Sequence, residues 1–205
     1  MSALASQLAH PISQDPLARL AERDWITTSA ETAIQKSVWA AYQDLLGPKL
    51  RGILHGDWLH EPLHVILVEV PVGSWTATII FDSLSAISAS KKLDFAADAT
   101  VIVGLVGAAG SAITGMNDWS EIRQPAARRI GLVHGLLNVA ATGLFVASSI
   151  ARSRSSRGTG RALAALGYLL VSASAHLGGN LIYEHGIGVA PHPGAKKTVT
   201  DNMRS

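Results

Sequence analysis

From Ile130 to Ile150 the chain reads IGLVHGLLNVAATGLFVASSI, twenty-one residues without one Lys, Arg, Asp or Glu. About 20 apolar residues cross the roughly 30 Å hydrocarbon core of a bilayer at 1.5 Å per residue. A soluble helix rarely stays apolar on every face for that length. Working outward, three more runs match it: Val65 to Ile87, Phe95 to Met116 and Leu163 to Tyr183. None contains Lys or Arg. The joints at Ser88 to Asp94, Asn117 to Arg129 and Ala151 to Ala162 are short and polar, which makes successive helices antiparallel. The expected fold is all-α: a four-helix transmembrane bundle, up-down-up-down, over residues 59–190.

Composition agrees. Of 205 residues 48% are hydrophobic and only 16% charged, against about 25% charged in soluble domains. A formal charge of +2 without a basic, aromatic-interleaved stripe excludes a nucleic-acid binder. Cysteine is absent, which excludes disulfides, thiolate zinc, cysteine-held iron–sulfur clusters and covalent haem. No apolar segment follows a basic start in the first thirty residues, so no cleavable signal peptide is expected.

Residues 1–58 form a polar amino-terminal arm containing one amphipathic helix over about 28–46. Thr28 and Glu31 have capping-box spacing, Ile34, Val38, Ala41, Tyr42 and Leu45 share a face, and Gly47-Pro48 ends the helix. This helix suits the membrane surface, a partner, or the protein's own bundle. Residues 191–205 are a polar tail. The glycines at 104, 107, 110, 131, 135, 178 and 179 read first as helix-packing positions, with clearance for a flat cofactor as the alternative.

Polar residues at membrane depth are costly, and their placement carries the functional information. Following the helix directions, His60, His64, Glu69, Asp118, Trp119, His134, Asn138, His176, Asn180, Glu184 and His185 gather in the half of the bundle holding both termini. Asp82 and Asp98 lie towards the other side. His134 and His176 fall at similar depths on antiparallel neighbours, the arrangement a haem b iron requires, with Asn138 and Asn180 one turn away to fix the rings. His64 is a further cofactor candidate. A metal set of His60, His64, Glu69 and Asp118 is the second expectation, although Pro62 suits the first turn of a helix better than its interior. The alternative is that the same side chains only lock helices together. No Walker loop, nucleophile elbow, zincin motif or dinucleotide fingerprint occurs.

The residues also carry a resemblance. Leu54-His55-Gly56-Asp57-Trp58-Leu59, Pro62-Leu63-His64, Val70 to Trp75, Phe81-Asp82, Thr114 to Trp119, His134 to Asn138 and Gly178-Gly179 through Val189 resemble a bacterial family of uncharacterised four-helix membrane proteins. The likeness covers roughly residues 50–190. Some relatives are fused to, or encoded beside, Rieske-type iron–sulfur domains, which implies a redox-associated membrane subunit. Without cysteine, any such domain is a separate partner. The chain departs from the family at Glu61, where a histidine is usual, at Glu69, where many relatives have Asp, and at Asn180, where many have His.

The expected function is therefore a redox-associated subunit of the bacterial cytoplasmic membrane, holding haem b or contacting a quinone. An accessory or assembly subunit of a larger complex is the alternative, and a proton or metal-ion transporter using Glu69, Asp82 and Asp118 the third reading. Lys and Arg are nearly balanced across the two sides. The polar amino-terminal segment favours cytoplasmic termini, and the arginine-rich third joint opposes it.

Overall fold

The computed structural model describes residues 15–23, 26 and 28–188. The expected arm over 1–14 and the tail over 191–205 lie outside the described residues. Among the described residues seven helices follow in chain order: α1 (Pro16–Glu22), α2 (Thr28–His55), α3 (Leu63–Leu67), α4 (Glu69–Ser88), α5 (Lys91–Trp119), α6 (Pro125–Ser153) and α7 (Arg157–Tyr183). No strand occurs among the described residues.

Helices α3 and α4 make one span, Leu63–Ser88, interrupted at Val68. Pro71 accounts for the interruption, since it has no N–H to donate to the Leu67 carbonyl four residues back. With α5, α6 and α7 this gives four helices long and apolar enough to cross a membrane. Each passes beyond its apolar run. Helix α6 continues from Ile150 to Ser153 and starts at Pro125 rather than Ile130. Pro125 suits that first turn, where a missing N–H costs nothing.

Helix α4 packs on α5 and α7, and α6 packs on the same two, so α4 and α6 face each other along a diagonal. The polarity is inverted relative to a soluble bundle. Inside lie Thr78, Ser85, Ser111, Thr114, Asn117, Ser148, Ser174 and Asn180. Outside lie Ile87, Phe95, Val106, Val139 and Leu169, each more than 60% exposed. An apolar surround makes that arrangement favourable, because polar groups find partners only inside. In the middle, Trp75 stacks on Phe145 with ring centroids 4.0 Å apart and planes within 5°. The Trp75 indole lies directly on Gly104, where any β-carbon would collide with it.

The two amino-terminal helices cross the terminal end of the bundle. Helix α1 buries Ala18 and Ala21 against Ile122, Ala127, Ile130, Leu177 and Leu181. Helix α2 starts at Thr28 as expected, and Gly47 breaks it with φ 67° and ψ 173°. Glycine suits that backbone because no β-carbon meets the preceding carbonyl. Pro48 then opens a second arm running to His55.

Candidate functional site

The sequence motifs of the terminal half meet in space. His55, at the end of α2, places Nδ1 2.7 Å from Oδ1 of Asp118 in the last turn of α5. The hydrogen bond to Asp118, more than the opposing burial, holds the imidazole pKa above its ordinary value. Beside it Arg51 is buried and makes four side-chain hydrogen bonds. Its guanidinium donates to Asn117, Gln43, Ser120 and Glu121, the last at 2.6 Å. A cleft of about 180 Å³ opens here, lined by Gln43, Arg51, Gly52, His55, Asp57 and Glu121.

Deeper in the bundle, His64 and His134 approach each other from the diagonal helices α3 and α6. Their ring centroids are 6.4 Å apart and their planes stand at 88°. His64 Nδ1 donates to the Ser111 carbonyl at 2.9 Å, and His134 Nδ1 to the Ser174 carbonyl at 2.8 Å. A carbonyl only accepts, so both Nδ1 atoms carry the proton, and in each neutral ring Nε2 keeps its lone pair. Asn138 Nδ2 donates to His134 Nε2 at 3.1 Å, one helical turn along α6. Glycines let the rings in. A β-carbon on Gly115 would lie 2.7 Å from the His64 ring, and one on Gly178 3.2 Å from His134. Of the glycines read as packing positions, Gly104, Gly107, Gly131 and Gly178 are each covered by a side chain of the protein itself, whereas nothing lies within 4 Å of a β-carbon at Gly135.

The other expected residues are placed elsewhere. His176 does not face His134. It lies on the outer side of α7, 59% exposed, with Nε2 2.5 Å from Asp15 Oδ2. His185 packs beneath α1, 3.8 Å from the Glu22 carboxylate. Asn180 is buried, whereas Glu184 is exposed. His60 and Glu69 are exposed, and His60 has a positive φ of 60° outside any helix. His60, His64, Glu69 and Asp118 do not come together, and among the described residues no group of three or more His, Asp or Glu is arranged to hold a metal ion. Glu31, expected in a capping box, pairs with distant arginines. Its carboxylate is fully buried and accepts from Arg128 at 2.6 Å and Arg129 at 3.3 Å.

The opposite end holds a group the sequence reading did not find. Arg152 donates to both oxygens of Asp82 and, at 3.1 Å, to Asp98. Arg157 grips Asp98 at 2.6 Å, and Arg161 reaches Asp94 and the Ser85 hydroxyl, each at 3.0 Å. Ser148 receives the Arg152 Nε–H and donates to the Gly160 carbonyl. All four spans contribute. Three carboxylates meet three guanidiniums and the charges cancel.

Residues 60–191 match the family described as Predicted membrane protein (DUF2231), and the chain belongs to that family. No curated protein and no solved structure matches the chain.

Proposed function

We propose that this multi-pass membrane protein is a redox-associated subunit whose chemical centre is the His64–His134 pair. The supporting observation is that two imidazoles from diagonal helices meet near the bundle axis, each with Nδ1 tied to a backbone carbonyl. That tie fixes ring orientation and tautomer, as in histidine ligands of metals generally. Haem b is the group this donor pair suits. Their ring centroids stand 6.4 Å apart, and both residues would hold the group through Nε2.

In this reading His64 and His134 would hold the group, taking the place of His134 and His176. Asn138 would release His134 Nε2, and Gly115 and Gly178 would keep the rings seated. Bound haem supplies one-electron chemistry; the chain fixes its position and dielectric surroundings. A quinone would use the same polar patch, with the Asn138 amide as donor to its carbonyl. We place the protein in the bacterial cytoplasmic membrane with both termini cytoplasmic, next to a separate redox partner.

Absorption spectroscopy of protein purified from haem-replete cells tests the proposal. A Soret band lost in His64→Ala and His134→Ala but kept in His176→Ala supports it. Absence of both a Soret band and bound metal in the wild type removes haem. Absence of co-purified quinone as well removes the redox reading.

A second reading, an accessory subunit of a larger membrane complex, draws on the way α1 and α2 strap one end of the bundle. Stable co-purification of a partner by wild type and His134→Ala alike would favour it.

A further inference from the structure

We propose that α2 is a membrane-interface element, seated in the headgroup and upper acyl region of the leaflet on the terminal side. The inference is independent of any cofactor. Its basis is the apolar surface that this helix leaves exposed. The buried residues of α2 are Glu31, Gln35 and Arg51, all polar. The exposed ones include Ile34, Trp39, Leu45, Leu50 and Ile53, with Leu45 81% exposed. On the first arm Ile34, Val38, Ala41 and Leu45 share one face beside the buried Glu31 and Gln35, and exposed Lys36, Ser37 and Asp44 hold the outward face, an amphipathic pattern favourable at a lipid–water interface.

Its depth follows from its contacts. Gln35 donates to the carbonyls of Trp119 and Ile122 at the end of α5. The Tyr42 hydroxyl donates at 2.9 Å to the Ile113 carbonyl, about 9 Å along α5 from that end. Helix α5 is about 43 Å long, so about 6 Å of it extends beyond the roughly 30 Å core at each end. Tyr42 therefore sits near the boundary between headgroups and acyl chains. After the turn at Gly47, the second arm climbs back. Arg51 reaches Asn117 and Ser120, with its guanidinium 5.3 Å from the Trp39 ring centroid. This ties the two arms into a shallow hairpin.

At Tyr42 the helix meets α5 at Ile113, itself 50% exposed on a membrane-spanning helix. Lys36, Asp44 and Lys49 are exposed, and long side chains of this kind reach the headgroups. The occupant is thus phospholipid.

The chain contains no cysteine, so nitroxides on Ile34→Cys, Leu45→Cys and Ile53→Cys report each position separately. In nanodiscs of mixed zwitterionic and anionic phospholipid, each label should collide several-fold more often with oxygen than with a water-soluble nickel chelate. Preferential collision with nickel would overturn the proposal by placing the helix in water. Shielding from both would overturn it in favour of a protein cover, whether a second copy or another chain. Should a labelled variant misfold, quenching by brominated lipid in unlabelled protein, compared with Trp39→Phe, decides: loss of part of the quenching supports the proposal, and identical quenching overturns it.

Discussion

The two ends of the bundle solve the problem of polar groups in a membrane in opposite ways. At the joint end, Asp82, Asp94 and Asp98 interlock with Arg152, Arg157 and Arg161, drawing on all four spans. At the terminal end the central groups are imidazoles held by carbonyls, and the charged residues lie above them in contacts with α1 and α2. At the joint end an ion lattice with matched charge fixes geometry. At the terminal end His64 and His134 have Nδ1 tied to carbonyls, and Nε2 is the nitrogen left to meet Asn138 or a ligand. Under the proposed function the difference assigns holding to one end and chemistry to the other.

The joint end is the place to break the molecule. Arg152→Ala leaves Asp82, buried to 5% exposure, without its principal partner. Removing one member of a buried pair costs about 3–5 kcal/mol, whereas replacing the whole pair with apolar residues is often near neutral. Unfolding titrations in mild detergent should show that loss for Arg152→Ala and substantial recovery for Arg152→Met combined with Asp82→Leu. Equal destabilisation in both would mean that the lattice is not the source of rigidity here.

The terminal end should respond to smaller changes. In Gly115→Ala the new β-carbon meets the His64 ring at 2.7 Å, whereas in Gly178→Ala it meets His134 at 3.2 Å. Overpacking costs about 1–3 kcal/mol, so Gly115→Ala should be the more harmful of the two. It should also free His64 from the Ser111 carbonyl, visible as a shift of the His64 ring resonances by NMR. Unchanged resonances would show that α5 yields instead of the ring.

Much of this contrast was legible in the sequence, and the missing part has a physical cause. The four spans are readable because twenty apolar residues have few soluble explanations. An apolar-run criterion, however, stops at the first Lys or Arg, and so it set Arg152, Arg157 and Arg161 in the joints. The small and apolar residues of α6 recur at intervals of three and four through Ala127, Ile130, Ala141, Phe145 and Ser148. His134 and Arg152 continue that stripe. Read by phase instead of by run, both point inward. On α7 the buried stripe passes through Val171, Ser174, Leu177 and Leu181. His176 sits one residue, or about 100°, away from Leu177. Depth alone paired His176 with His134; facing separates them. Glu31 fits a capping box by spacing, and no local pattern announces arginines ninety-seven and ninety-eight residues away.

His55 offers a titration between these extremes. Its folded-state pKa is raised, chiefly by the Asp118 hydrogen bond. The pair therefore contributes fully below the unfolded value of about 6.5, and the contribution fades as pH rises through the higher folded value. With the His55 side chain 27% exposed, we expect no more than about 1 kcal/mol. Melting temperature followed from about pH 6 to about pH 9 should fall in the wild type more than in Asp118→Asn. Parallel slopes would place the sensitivity elsewhere.

His176 gives the smallest effect and the sharpest discrimination. It shares a residue type and a depth with His134 but not an environment, since its ring faces outward onto Asp15. Exposed pairs contribute about 0.2–1 kcal/mol, so His176→Ala should shift unfolding by no more than that. It loosens only the start of α1, because Ala18 and Ala21 stay packed in the cluster containing Leu177 and Leu181. Any spectrum assigned to the His64–His134 pair should survive unchanged. If His176→Ala instead abolished that spectrum and His64→Ala spared it, the chemistry would belong to the outer face of α7, and the division of labour between the two ends would have to be redrawn.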